Sequence, residues 1–412
     1  MAELSQQNTY SNKYFNHAVA VLTVCSLFLF FKYIAQLFPS VISEALIEKH
    51  SLTGLELAIM ASSYYYSYSF LQVVAGVILD RNDAKIPCFM AILTISLAIL
   101  VFTHTNSFYV MCFSRVLMGA GTAFATVMYM KCAASWTSIK TFGFISSLLA
   151  TFTMFGAAFG SAPVAYLFSK VGWQVGLDLF AYFGIGLALL ALVFVTTKSS
   201  NKNVNVAKFS DFKHVVFNKT NWILFLYSGL TFSPIVVIGG LWGNPFLITK
   251  FGVSNTDASL LLFMMFIGVG VGAPFWAILS AQLKTRLKLM HSANLVAFTA
   301  MLLVIYMPMT YQLGLVLFFV IGFAVGCFMI CFQICREVNT LYTMGFAVAF
   351  INMSDGIVSS IVEPIIGKVL DLLKQGSQFS LHDYHVALLI VPICFVLSSL
   401  VLAFLRLSDN SN

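Results

Sequence analysis

Apolar runs about as long as a bilayer is thick recur along this chain, and they constrain its fold more than any other feature. They fall at about 17–40, 54–79, 86–105, 108–133, 140–168 and 174–196, and again at about 221–248, 256–282, 287–307, 310–335, 342–368 and 384–406. A helix needs about 20 predominantly apolar residues to cross the hydrocarbon core, so the pattern predicts an all-α membrane protein with twelve transmembrane helices. Only 9% of the 412 residues are charged, against about 25% in a soluble domain. That is too few to wet a globular surface, which excludes a soluble enzyme, a nucleic-acid binder and a disordered chain. The eight cysteines lie almost entirely within the apolar runs, with no Cys-x-x-Cys pair. They read as small buried hydrophobes, so neither a disulfide scaffold nor a metal site is expected.

Composition divides the runs into two sixes. Residues 197–220 carry five lysines and no sustained apolar run, which predicts a six-helix bundle over 1–196, a linker over 197–220 and a second six-helix bundle over 221–412. The first sixteen residues are polar and no small-residue cleavage site follows the first run, so that run reads as a retained helix. With the amino terminus inside, fifteen Lys and Arg fall in cytoplasmic segments, five fall outside and two, Lys32 and Arg115, lie within spans. The bias predicts cytoplasmic termini and a cytoplasmic linker. The net charge of +7 therefore reads as topology, not as affinity for nucleic acid. Trp222 and Trp242 fall near opposite ends of the seventh span, where interfacial aromatics tend to sit.

Three motifs in the first half carry a family resemblance. After the second span come Gly76, Asp80, Arg81 and Lys85; the fourth carries Arg115, Gly119 and Gly121; the fifth carries Gly156, Gly160 and Pro163. Set in two six-helix bundles joined by a long inner loop, they resemble the major facilitator superfamily of transporters. The resemblance implies alternating access, with the first and fourth helices facing a central cavity. It also implies that Gly76 allows close contact across the seam while Asp80, next to Arg81, caps the positive end of the eleventh helix. The loop after the eighth span, Ala281 to Arg286, lacks the matching Asp-Arg pair. A narrower resemblance rests on Lys32, Tyr33, Gln36, Pro39 and Ser40, on Ser62 through Tyr68 to Gln72, on Leu241 to Phe246, and on Gly345 to Asn352. These stretches are similar to the phagosomal nutrient transporters (Pht/Fpt) of intracellular bacteria. That likeness implies uptake of amino acids across the inner membrane, with nucleosides as another substrate class.

Polar side chains inside the spans mark the candidate site. A charge at mid-membrane costs about 2.5–3.5 kcal/mol on insertion scales, so each needs a reason. At about 1.5 Å per residue, Lys32 lies roughly 22 Å from the inner end of the first span, and Arg115 about 10 Å below the outer surface. Two cations at comparable depth suit a carboxylate or another anion. The alternatives are that Lys32 snorkels to the interface and that Arg115 pairs with Asp178. Gln36 lies one turn beyond Lys32 on the same face, and Tyr65, Tyr68 and Gln72 form a stripe on the second helix. In the seventh span Pro234, Gly239, Gly240 and Pro245 predict a break in the outer half that serves as a gate. Trp242 and Asn244 lie beside that break. In the eleventh, Asn352, Asp355 and Glu363 are polar. A carboxylate withdrawn from water is favoured in its neutral form and can exchange protons, so Asp355 is the first candidate for proton coupling and Glu363 the second.

The resulting reading is a secondary transporter, not an enzyme. It imports a small polar nutrient, an amino acid best of all, into a bacterial cell by alternating access with protons. Substrate contacts are assigned to Lys32, Gln36, Tyr65, Tyr68, Gln72, Arg115, Trp242, Asn244 and Asn352, and gating to Gly76, Asp80, Arg81, Pro163 and Pro245. Uptake of an organic anion or nucleoside is the alternative, with efflux of a drug or siderophore as another. The expected partners are substrate, protons and lipid, with a monomer as the default and no cofactor. The HExxH and Walker patterns of zinc proteases and ATP-driven pumps are absent from the sequence.

Overall fold

Among the described residues, the apolar runs are helical in the computed structural model. The structure describes residues 2–137, 149, 152–197, 209–283, 285–340, 343–376 and 378–405, and side chains for all of these except 2–15, 73, 80, 81, 209–212, 344 and 345. The helices are α1 (Ala2–Val41), α2 (Gly54–Arg81), α3 (Lys85–His104), α4 (Phe108–Trp136), α5 (Phe152–Val171) and α6 (Trp173–Phe194). The second set is α7 (Lys219–Phe251), α8 (Asn255–Leu283), α9 (Arg286–Tyr306), α10 (Tyr311–Val338), α11 (Met344–Leu373) and α12 (Leu381–Leu402). Among the described residues there is no strand, and ten stretches are long and apolar enough to cross a bilayer. The other two long helices, α2 and α11, have 28 and 30 residues; they hold most of the polar side chains described below.

Side-chain contacts sort the helix ends onto two faces. On one, the Lys49 ammonium lies over the Trp173 ring, His104 pairs with Asp178 at 3.1 Å, Asn255 donates to the Val41 carbonyl, and Tyr306 donates to that of His385. We call this the distal face. On the other, Lys131 donates to Asn82, Trp136 to Thr196, and Asn221 and Asn339 exchange two amide hydrogen bonds at 2.8 and 2.9 Å. This is the linker face, and consecutive helices run alternately between the two. Large apolar side chains such as Phe113, Val193, Ile278 and Leu400 are exposed on the outside of the spans, as lipid contact requires.

Small residues set the close packing. A Cβ on Gly119 would collide with the Tyr64 carbonyl, and one on Gly322 with that of Met265, so α2/α4 and α8/α10 meet backbone to backbone. In α5, Gly156 and Gly160 lie against Phe30 and Tyr33 of α1. The helix turns at Gly160–Ser161 and restarts with Pro163 in its first turn, where proline's missing N–H costs nothing. In α7 the expected break is absent. Residues Ile238–Trp242 form one π-turn, the Gly243 amide reaches back to the Ile238 carbonyl, and the helix continues through Pro245 to Phe251. A local bulge absorbs the proline that would otherwise interrupt the ladder.

The two sets of helices meet chiefly along α2 and α11, which run antiparallel. Gly54 and Leu55 face Asp371, Ser62 faces Glu363, Tyr66 faces Ser360, Ser69 faces Gly356 and Gln72 faces Asn352. Each step of a turn or two along α2 is matched by an equal step back along α11. The zipper starts at the distal face and stops at Gln72–Asn352. One turn further on, nothing lies within 4 Å of where a Cβ on Gly76 would stand. Gly76, expected to permit close contact across the seam, borders open space because the helices have parted there. The side chains of Asp80 and Arg81 lie outside those described.

Candidate substrate site

A small cavity lies between the two sets of helices, level with the middle of the zipper. Its polar lining comes from α1, α2 and α11: Lys32, Tyr33, Gln36, Tyr65, Tyr68 and Asp355. Its apolar lining comes mainly from α5, α7 and α8.

Lys32 is 2% exposed. Its ammonium donates to the Tyr68 hydroxyl at 2.8 Å and stands 4.4 Å from that ring's centroid and 5.1 Å from that of Tyr33. Hydroxyl and ring faces together stabilise a cation that water no longer solvates, so Lys32 does not snorkel to the interface. Across the seam, the Asp355 Oδ1 is buried without a hydrogen-bond partner among the described residues. The two charges line one cavity and form no ion pair. Each keeps bonding capacity for a guest. Gln72 and Asn352, both expected to contact substrate, lie outside the lining, where Gln72, one turn from Tyr68, accepts from Asn352 at 3.5 Å.

Arg115 stands apart from this group. It was expected beside Lys32, but its fully buried guanidinium is turned into the packing of α1, α2 and α4. There it donates to the backbone carbonyls of Ala35, Gln36 and Ala61 and lies 4.7 Å from the Tyr64 ring. Asp178 is not its partner, being bound to His104. A planar fork is suited to holding several carbonyls at once. Tyr64 in turn stacks on Tyr68 at 5.8 Å. Arg115 therefore supports the residues that hold Lys32 without reaching the cavity.

Trp242 and Asn244 are likewise displaced from their expected places. Trp242 is fully buried, neither interfacial nor in the cavity, because its indole donates to the Glu363 carbonyl at 3.2 Å. Asn244 accepts from Ser259 at 3.0 Å inside the packing of α7 on α8. Glu363 is fully buried, two turns distal to Asp355: its Oε2 accepts from Ser62 at 2.8 Å, and its Oε1 has no hydrogen-bond partner among the described residues. The Tyr65 hydroxyl and Glu363 both crowd Gly240 of the π-turn. Three helices of the distal seam thus converge on one carboxyl group.

Two features carry no signal in the sequence: the apolar wall of the cavity, made of residues ordinary in any span, and Asp371, which lies just beyond the apolar run 342–368. In fact the Asp371 carboxylate takes the Gly54 amide at 2.7 Å and the Leu55 amide at 2.8 Å. A capping box of Thr53 and Glu56 satisfies the next donors, so the whole amino-terminal turn of α2 is bonded, half of it by the other set of helices.

A cavity with charged groups on one wall, set between two packed sets of membrane-length helices, fits a transporter. The chain belongs to the Major Facilitator Superfamily, whose family model matches residues 20–363. Among curated relatives, it is 22% identical over 174 residues to the "Probable sulfoacetate transporter SauU" of Cupriavidus necator, covering 42% of this chain and 40% of that one. It is 27% identical over 136 residues to the "Uncharacterized transporter YybO" of Bacillus subtilis, covering 33% and 31%. The chain thus matches two-fifths or less of the length of these relatives. Similar folds occur in a bacterial homolog of the human lysosomal transporter Spinster, inward-facing and occupied, with a TM-score of 0.78 at 13% identity, covering 93% of this chain and 95% of that one. A single-site mutant of the nucleoside transporter NupG gives 0.75 at 14%, covering 94% and 99%.

Proposed function

We propose that this protein is a proton-coupled secondary transporter that carries an amino acid into the cell by alternating access. The observation that carries the reading is the pair of opposite charges, Lys32 and Asp355, lining one cavity without a direct salt bridge between them. An α-amino acid supplies the complementary pair: its carboxylate to Lys32 and Tyr68, its ammonium to Asp355, with Gln36 beside them. Charge-assisted hydrogen bonds of this kind are about twice as strong as neutral ones. A dianion such as the sulfoacetate in the SauU name meets one cation and one repelling carboxylate, and a nucleoside leaves both charges unpaired. The likeness to the Pht/Fpt transporters in the first two spans points the same way.

With Asp355 assigned to the substrate's ammonium, Glu363 is the proton carrier. Fifteen of the 22 Lys and Arg fall in the segments that the sequence assigns to the cytoplasm, which supports a cytoplasmic linker face and a seam zipped on the opposite side. The test is uptake of each of the twenty amino acids and of several nucleosides by cells expressing the protein, with and without a protonophore. Concentrative uptake of amino acids that collapses with the protonophore is expected. Uptake confined to nucleosides overturns the substrate assignment, and concentrative uptake indifferent to the protonophore overturns the coupling.

A further inference from the structure

The cavity is divided by chemistry. Its charged and hydroxyl groups lie on α1, α2 and α11, whereas α5, α7 and α8 contribute Met154, Phe232, Ile235, Val236 and Phe266, joined by Leu37 of α1. None of these six side chains carries an oxygen or nitrogen. The wall is also braced from behind. The Phe232 ring packs 4.6 Å from that of Phe328, Phe266 lies where a Cβ on Gly239 of the π-turn would stand, and Met154 covers Gly270.

We propose that the substrate is a neutral amino acid with a bulky apolar side chain, selected by this wall, with Phe232 and Phe266 as specificity-determining residues. This rests on the amino-acid reading above, which fixes the two charged ends and leaves the side chain to be chosen. Held at Lys32 and Asp355, the backbone atoms direct the side chain toward α7 and α8, the remaining side of the cavity. Each methylene transferred from water to such a wall strengthens binding about fourfold. A hydroxyl, amide or charge placed there finds no partner and pays its desolvation in full. A site of this kind ranks its substrates by apolar area, from glycine through alanine and valine to leucine, isoleucine, methionine and phenylalanine.

The experiment is counterflow of radiolabelled leucine into proteoliposomes containing the purified full chain, with unlabelled competitors. Half-inhibitory concentrations are expected to fall about fourfold per methylene along glycine, alanine, valine and leucine. Serine, asparagine, glutamate and lysine should compete at least tenfold more weakly than leucine. Isoamylamine and 4-methylpentanoate, which keep the side chain but lose one charged end each, should also fail. If serine, asparagine or glutamate competes as well as leucine, or is exchanged when leucine is not, the apolar assignment falls while the amino-acid reading stands. If 4-methylpentanoate equals leucine, or no amino acid exchanges at all, the amino-acid reading itself falls. Phe266→Ala and the milder Phe266→Leu should shift competition toward tryptophan over valine by about tenfold and by less, respectively. An unchanged ratio in a variant that still transports removes Phe266 from the wall.

Discussion

Lys32 and Arg115 are both cations buried within the spans, yet their surroundings give them different work. Lys32 has one hydroxyl and two ring faces, leaving two of its three donors for a ligand. Arg115 spends its fork on three backbone carbonyls of two helices. Removing one member of a buried, hydrogen-bonded charge contact costs about 2–5 kcal/mol. Lys32→Gln and Asp355→Asn should therefore each lower transport at least about thirtyfold at low substrate, with normal yield and thermal stability in detergent. Wild-type kinetics in both variants would take them out of the site. Arg115→Lys should act on the scaffold, since a point charge cannot reach carbonyls on two helices and each orphaned acceptor costs about 1–3 kcal/mol. A lowered melting temperature with substrate ranking unchanged is the expected result. Sequence disclosed these charges because membrane depth makes them expensive, and depth follows from counting along a helix. Which way Arg115 points was not legible, because it depends on α1 and α2 closing within reach.

At the scale of elements, the antiparallel α2/α11 pair is the working part. Two amides of the first turn of α2 are bonded by Asp371, and Gly54 and Gly367 approach so closely that a Cβ on Gly367 would collide with the Gly54 carbonyl oxygen. A carboxylate at a helix amino terminus is favoured by the dipole as well as by the hydrogen bonds, so Asp371 latches the distal end of the seam. Hydrogen bonds to a charged group are worth about 1.5–3 kcal/mol each, so Asp371→Ala should raise the distal-open population at least about tenfold. Labelling of a cysteine placed at Ala157, in the cavity, by a membrane-impermeant maleimide from the distal side measures it. Unchanged labelling would show that Asp371 does not hold the gate. The helix boundaries were legible because hydrophobic length fixes them. The π-turn of α7 was not, since Pro234 and Pro245 reveal a missing donor but not whether the ladder breaks or bulges.

For the whole molecule, transport requires the seam to open at the distal face and close at the linker face, with a charge state that makes each swing permissible. Glu363 sits where such control can act. It is enclosed by α2, α7 and α11, holds Ser62 through one oxygen and Trp242 through its carbonyl, and has no partner among the described residues for the other oxygen. Parting α2 from α11 at the distal end removes Ser62 and admits water, in which a carboxylate readily ionises; closing the seam again over an anion carries the full penalty of burying it. On the proposed coupling, an empty carrier returns to the observed state only with a proton on Glu363, and that requirement would tie proton movement to the cycle. Glu363→Gln keeps the hydrogen bond to Ser62 while fixing the neutral form. The variant should exchange labelled for unlabelled substrate across proteoliposomes at near wild-type rates yet fail to concentrate substrate against a gradient when a pH difference is imposed. If it accumulates substrate as the wild type does, the coupling proton is carried elsewhere. Loss of exchange as well would show that Glu363 is needed for the swing itself and not only for its coupling.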